Sequence, residues 1–455
     1  MLSKVRNAPF PVRRSLGPQL SPAQFLVLGY LGVIFFGALL LALPTATVKR
    51  ASMGYLDALF TSTSAVCVTG LTVVNTGHEL SRMGQVTVMV LIQIGALGIM
   101  TMSTLFALLT GRRISLRGRL FLREDLNQGY IAGMVRLARY CLVSTLAIEG
   151  LGALSLWICF LQEMPWQKAL YYAVFHSVSA FGNAGFDVTG SSLEGYSTNI
   201  AVNLIVALLI IFGGLGFGVL VDIYEERSWR RLSLHTKTVL RMTLLLLMIG
   251  WAAIGLLEWN NPATLGSLPL AGRVLASFFA AVTPRTAGFN TISTAALSPA
   301  TLFLLIGLMF VGASPGSTGG GVKTTTIAVI LAGLRSVIRG EDDVNLSGRR
   351  LPAGDFGKAV AIITLAFALI FLITGILLMT EGHGLMTTIF EVVSAFGTVG
   401  LSTGLTLSLS PVGKFLIMAT MFCGRIGPMT LALALGQRTS LSGRYRYPEE
   451  QVGLG

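Results

Sequence analysis

The stretch SAVCVTGLT at residues 64–72 decides the fold, because the chain uses it four times in altered form. With Gly70, Gly185, Gly288 and Gly400 in one column, the surroundings read CVTGLTV (67–73), GNAGFDV (182–188), RTAGFNT (285–291) and GTVGLST (397–403). Leu or Phe follows each glycine, and a small or β-branched residue precedes it. Ser64, Ser179 and Ser394 stand six positions before their glycines. The glycines lie 115, 103 and 112 residues apart. One unit of roughly 110 residues is therefore used four times.

Outward from each glycine the sequence is apolar. The chain is 53% hydrophobic and 12% charged, where a soluble domain carries about a quarter charged residues. Its apolar runs reach the ~20 residues that cross a bilayer core. In the first unit, 23–43 reads as a span and 56–66 as an amphipathic segment too short to cross. The glycine segment follows, then a second span at 85–109. The same order recurs as 134–161, 166–181 and 200–221; as 240–257, 271–282 and 300–334; and as 358–379, 385–396 and 412–435. The expected fold is an all-α polytopic membrane protein, four tandem span–pore-helix–span units around one pseudo-fourfold pore. The units are expected at 23–110, 111–223, 224–335 and 336–437, with cytoplasmic segments at 1–22 and 438–455.

The net charge of +13 does not point to nucleic acid, because Lys and Arg cluster between spans. With the N-terminus inside, 24 of them fall on the inner side and six on the outer. That asymmetry predicts both termini in the cytoplasm and all four glycine loops outside. The basic inner loops also suit anionic membrane lipid. Cys67, Cys141, Cys159 and Cys423 lie in apolar or loop sequence and form neither a disulfide framework nor a CxxC metal site. The polar, basic first 20 residues do not read as a cleavable signal peptide.

Backbone that leaves the helix at membrane depth is tolerated only inside protein or along a wet cavity. Glycine admits positive φ and lets carbonyls turn toward an axis. Four such segments around an axis would make rings of carbonyls, which replace the hydration shell of an alkali cation. The short helices before them would aim their negative C-terminal ends at that cation.

The third unit carries a further break, GASPGSTGGGVKT at 312–324. Five glycines and a proline within ten residues do not continue a helix. We expect an intramembrane loop below the glycine ring, built from Gly312, Ser314, Pro315, Gly316, Ser317, Thr318, Gly319, Gly320, Gly321 and Lys323, and able to act as a gate. The stretch nearly matches a nucleotide-binding P-loop, but Val322 separates Gly321 from Lys323 and no strand precedes it. Arg425, a cation in the last span, is the second gate candidate. Among acids at membrane depth, Glu149, Asp187, Asp222 and Glu391 stand out. Asp187 either attracts cations at the outer mouth or caps a turn. His176 and Glu391 are expected to be structural hydrogen-bonders.

These motifs, SAVCVTGL (64–71), SAFGNAGF (179–186), RTAGFN (285–290), SPGSTGGGVKT (314–324) and GRIGP (424–428), resemble those of the Trk, Ktr and HKT superfamily of K⁺ transporters. With eight spans and a short tail, the chain is most similar to the Ktr membrane subunit; Trk subunits usually carry two more N-terminal spans. The resemblance implies that Gly70, Gly185, Gly288 and Gly400 are filter glycines holding K⁺. It implies neighbouring filter carbonyls from Val68, Thr69, Asn183, Ala184, Thr286, Ala287, Thr398 and Val399. Some plant relatives with Na⁺ preference have serine at the first filter position; Gly70 here argues for K⁺. The resemblance also implies a homodimer with one pore per chain, a cytosolic ring of nucleotide-binding RCK domains and a bacterial inner membrane, with Na⁺ dependence left open. Two rivals are the K⁺-binding subunit of an ATP-driven pump, normally longer, and a non-transporting membrane scaffold or enzyme subunit. The scaffold has no need of a fourfold glycine loop, and no acid pair or nucleophile triad suggests an enzyme.

Overall fold

The computed structural model describes residues 22–98, 134–352 and 354–436. They are helical apart from loops and one small hairpin, β1 (Asn345–Leu346) with β2 (Arg349–Arg350). The first described helices are α1 (Pro22–Leu41), α2 (Tyr55–Val66) and α3 (Arg82–Leu97). The second set is α4 (Met134–Phe160), α5 (Trp166–Phe181), α6 (Ile200–Leu215) and α7 (Phe217–Glu226). The third is α8 (Leu234–Glu258), α9 (Leu270–Val282), α10 (Pro299–Phe310) and α11 (Thr324–Arg339). The fourth is α12 (Asp355–Glu381), α13 (Leu385–Gly397), α14 (Pro411–Ile426) and α15 (Pro428–Gly436).

The distribution of side chains is that of a protein in lipid. Phe371 is 84% exposed, Leu256 82% and Met379 89%. Such a surface in water would be a large apolar patch. Polar residues go inward instead: Ser62, Ser64, Thr69, Ser177, Ser179, Thr286, Ser394 and Thr398 are buried. Among the described residues four helices, α1, α4, α8 and α12, are long and apolar enough to cross a membrane, or five spans if α6 and α7 count as one. The short helices α2, α5, α9 and α13 are each followed by one of the glycine loops. From Phe390 to Gly397 every residue of α13 is buried, because spans surround it on all sides.

The sets close into a circle. α3 packs against α5, α6 against α9, α10 against α13, and α14 returns to α2. The starts of α3, α6, α10 and α14 share one device: Ser81, Asn199, Ser298 and Ser410 accept at the side chain from the backbone N–H three residues on. Each bond satisfies an orphan donor of the first turn. In the third and fourth sets a carboxylate reinforces it. Glu258 accepts from Ser298 N at 2.9 Å and from Thr301 Oγ1 at 2.5 Å. Glu381 accepts from Ser410 N at 2.9 Å.

One expectation is corrected. The sequence suggested a second span that is continuous in every unit but the third; α3, α6 and α14 stop as well, as α10 does. α3 ends at Gly98 (φ 83°), α6 at Gly216 (φ 97°) and α14 at Gly427 (φ 91°). Positive φ cannot continue a right-handed helix. α7 leaves α6 at 95°. The remainder of the span expected at 85–109 lies outside the described residues.

Candidate functional site

Each glycine loop leaves its short helix by the same route. The residue two before each glycine, Val68, Asn183, Thr286 or Thr398, is left-handed (φ 58°, 58°, 70° and 52°). The glycines follow at φ 92°, 68°, 76° and 89°. Thr69, Ala184, Ala287 and Val399 between them do not share the positive sign. In uniformly extended chain consecutive carbonyls point to opposite sides; alternating φ brings them to one side. Three β-branched residues and an asparagine held left-handed are uncommon enough to mark a functional segment.

Anchors behind the loops also repeat. Thr69 N, Ala184 N and Val399 N each donate to the carbonyl of Ser64, Ser179 or Ser394 at 2.8 Å. Ser64 Oγ and Ser394 Oγ accept from Gly70 N and Gly400 N at 3.0 and 3.1 Å. Ser179 Oγ instead donates to Phe186 O at 2.7 Å. In the third unit Thr283 takes the serine's part, donating to Phe289 O at 2.5 Å. The serine column of the sequence missed it because Thr283 stands five, not six, positions before its glycine.

The four loops form a closed ring. A Cβ built on Gly70 would stand 2.5 Å from Ala184 O, one on Gly185 2.8 Å from Ala287 O, and one on Gly288 2.5 Å from Val399 O. One on Gly400 would run into Thr69 O, which completes the circle. No side chain fits between neighbouring backbones, so these four positions require glycine for space as well as for φ. The four glycines and Thr69, Ala184, Ala287 and Val399 therefore come together, and the Asn183 side chain lies 3.1 Å from Thr286 Oγ1.

Below the ring lies the loop of residues 311–323. Its neck is a parallel bridge, Val311 with Val322, and Gly312 N donates to Val322 O at 2.9 Å. Ser314 Oγ meets Thr324 Oγ1 at 2.9 Å. Lys323 Nζ turns back to Gly319 O at 2.7 Å, so the lysine ties the loop to itself. The tip touches three units. Thr318 N bonds Gly213 O at 3.2 Å and Phe217 N bonds Gly316 O at 2.9 Å. Gly320 N donates to Thr398 Oγ1 at 2.9 Å, and a Cβ on Gly319 would strike Thr286 Oγ1. The loop thus sits directly against the side chains under the ring. Arg425 donates to Thr318 O and to Gly95 O, joining the loop to the broken end of α3. The sequence placed Arg425 at membrane depth, but the carbonyl partners were not visible in it.

The acids sort differently. Asp187 Oδ2 accepts from Thr189 Oγ1 and Gly190 N, both at 2.6 Å, so it caps a turn. Asp222 accepts from Ser233 Oγ at 2.8 Å and binds the α7–α8 connection, not a site inside the membrane. Glu391 is buried and holds Ser402 Oγ at 2.9 Å and Thr406 Oγ1, bracing the stretch after Gly400. Glu149 accepts from Gln93 at 3.2 Å between α4 and α3, away from the ring. His176 Nδ1 bonds Tyr172 O at 2.7 Å within its own helix. Arg285 turns from the ring toward Thr243 of α8, 3.5 Å away.

A circle of four helix–loop–helix sets, with four backbone loops on its axis and no room for side chains between them, defines a membrane protein built to pass a small ion. The family model described as "Cation transport protein" (TrkH) matches residues 26–439, and the chain belongs to that family. It is 40% identical to the Ktr system potassium uptake protein B of Bacillus subtilis, over 96% of this chain and 97% of that one. It is 38% identical to the potassium/sodium uptake protein NtpJ of Enterococcus hirae, over 98% and 99%. The potassium transporter TrkH of Vibrio parahaemolyticus has the same fold, with TM-score 0.74 at 20% identity over 94% of this chain and 87% of that one.

Proposed function

We propose that the chain is the ion-translocating subunit of a K⁺ uptake system of the Ktr type, working as a transporter and not as an enzyme. The observation that carries this reading is the closed ring, in which the carbonyls of Thr69, Ala184, Ala287 and Val399 stand between successive glycines. A dehydrated alkali cation needs such oxygens and no fixed counter-charge. On this reading Gly70, Gly185, Gly288 and Gly400 with their two preceding residues are the selectivity filter. The loop of residues 312–324 and Arg425 are the gate, and the four units run over 23–110, 111–223, 224–335 and 336–437.

The gate reading draws its support from contact. The loop tip meets Thr286 and Thr398 under the ring, and Arg425 grips it from α14. A homodimer, a cytosolic RCK-type regulatory ring and an inner-membrane position with both termini cytoplasmic belong to the same reading. They draw on the Ktr-system names of relatives and on the charge asymmetry. The Enterococcus relative's name includes sodium, which keeps a Na⁺ role within the reading.

The test is Rb⁺ uptake into proteoliposomes under an inside-negative potential, wild type beside Gly70→Asp, with K⁺ and Na⁺ competing. Uptake blocked by K⁺, resistant to Na⁺ and lost in the variant is expected. Equal competition by both ions would overturn the K⁺ assignment, and uptake surviving in the variant would overturn the ring as the path.

A further inference from the structure

The end of α8 opposite the glycine loops carries a feature that the transport path does not use. A cavity of about 300 Å³ opens between the α7–α8 connection, the first turns of α8 and the β1–β2 hairpin. Trp229, Arg230, Lys237, Arg241, Ser347 and Arg349 line it. The hairpin reaches it because its two-residue turn, Ser347 and Gly348, has positive φ at both positions (51° and 77°). That is the geometry whose twist matches paired strands.

Four cations converge here without a carboxylate. Arg241 donates to Ser347 Oγ at 2.8 Å, and its guanidinium lies 5.8 Å from the Trp229 ring centre. Lys237 Nζ donates only to a carbonyl, Arg230 O, at 3.0 Å. Among the described residues none of Arg230, Lys237, Arg241 and Arg349 forms an ion pair. Of the acids on the flanking segments, Asp222 holds Ser233 and Asp343 pairs with Arg350 at 2.9 Å, while Glu225, Glu226 and Asp342 do not line the cavity. Cations held this close without a carboxylate call for an anion.

The helix indicates which anion. The face of α8 that bears Lys237 and Arg241 continues to Leu244, Leu245 and Met248, which are 62%, 48% and 51% exposed. From Lys237 to Met248 this face covers about 16 Å along the axis at 1.5 Å per residue. A charged cup opening onto an apolar stripe fits a molecule with a phosphate head and a hydrocarbon tail. Trp229 at their junction has the amphipathic character that membrane interfaces favour.

We infer that this cavity is a binding site for the head group of an anionic phospholipid, whose acyl chain lies along Leu244, Leu245 and Met248. The site depends only on the chain's being a membrane protein, and it stands or falls apart from the ion selectivity of the ring.

The experiment uses the purified full-length protein in neutral detergent, with bound lipid counted by native mass spectrometry. Phosphatidylglycerol is the probe, with phosphatidylcholine in a parallel arm and inorganic phosphate as competitor. Each basic residue near an anionic head group contributes about fivefold, so Lys237→Gln with Arg241→Gln should weaken phosphatidylglycerol binding about thirtyfold. Arg241→Lys should retain most of it, and Arg335→Gln, outside the cavity, should leave it unchanged. Matching elution volumes on size exclusion show that the variants fold. Unchanged affinity in the double variant, or an equal loss in Arg335→Gln, would overturn the site. Displacement by inorganic phosphate would reassign it to a free phosphate ligand. A wild-type protein that binds no phosphatidylglycerol, as when a second copy covers the stripe, would also overturn it.

Discussion

Gly288→Ala is the smallest perturbation that tests the ring. Its added Cβ would lie 2.5 Å from Val399 O and 3.1 Å from Gly185 Cα, where ordinary contact begins at 3.4 Å. One loop must therefore move by about 0.9 Å, and only backbone is available to move. The φ of 76° adds left-handed strain of about 1–2 kcal/mol for alanine. Overpacking of a tight site adds about 1–3 kcal/mol. If about 1.4 kcal/mol of this total falls on the cation-bound state, discrimination changes tenfold. Gly382→Ala separates the two terms, because Gly382 has φ 67° and nothing within 4 Å of an added Cβ. It should lose stability without losing selectivity. The assay is Rb⁺ flux in proteoliposomes, with the ratio of half-inhibiting Na⁺ to K⁺ as readout. Gly288→Ala should lower that ratio roughly tenfold by the estimate above. A ratio equal to wild type, in a variant that binds the membrane and elutes normally, would refute the reasoning that this carbonyl circle selects the ion.

Three further outcomes are expected. Arg425→Gln removes the charged donor that holds Thr318 O and Gly95 O; each such bond contributes about 1.5–3 kcal/mol, so Rb⁺ flux without any regulatory partner should rise, and an unaltered flux would remove Arg425 from the gate. Deleting residues 316–321 should likewise raise flux, whereas a well-folded but silent protein would make the loop structural. Glu258→Gln weakens the acceptor that gathers Ser298, Thr301, Thr264 and Asn261 at the start of α10. The expected cost is about 1–3 kcal/mol, seen as a lower thermal midpoint in detergent with ion preference retained; an unchanged midpoint would show that the cap is dispensable.

The sequence alone determined the repeat, the short helix before each glycine, the apolar spans and the loop in the third unit. Each is a local property: period, composition, or glycine and proline content along one stretch of chain. It also brought the four glycines to one column, while their eight neighbours entered through the family resemblance. The tertiary structure decided what depends on neighbours distant in sequence. Arg425 meets carbonyls some 107 and 330 positions away, and carbonyl acceptors leave no residue-type signature. The breaks at Gly98, Gly216 and Gly427 were hidden, although Gly213, Gly214 and Gly218 surround one and Pro428 follows another, because a glycine in apolar sequence reads as tolerated helix. Only packing against the buried loops shows that its φ is positive. Thr283 was hidden for a related reason, since a hydroxyl one position out of register reaches the same loop only after the helix end is placed. The circle itself, with each carbonyl set between a glycine pair, exists only when the fourth loop closes on the first.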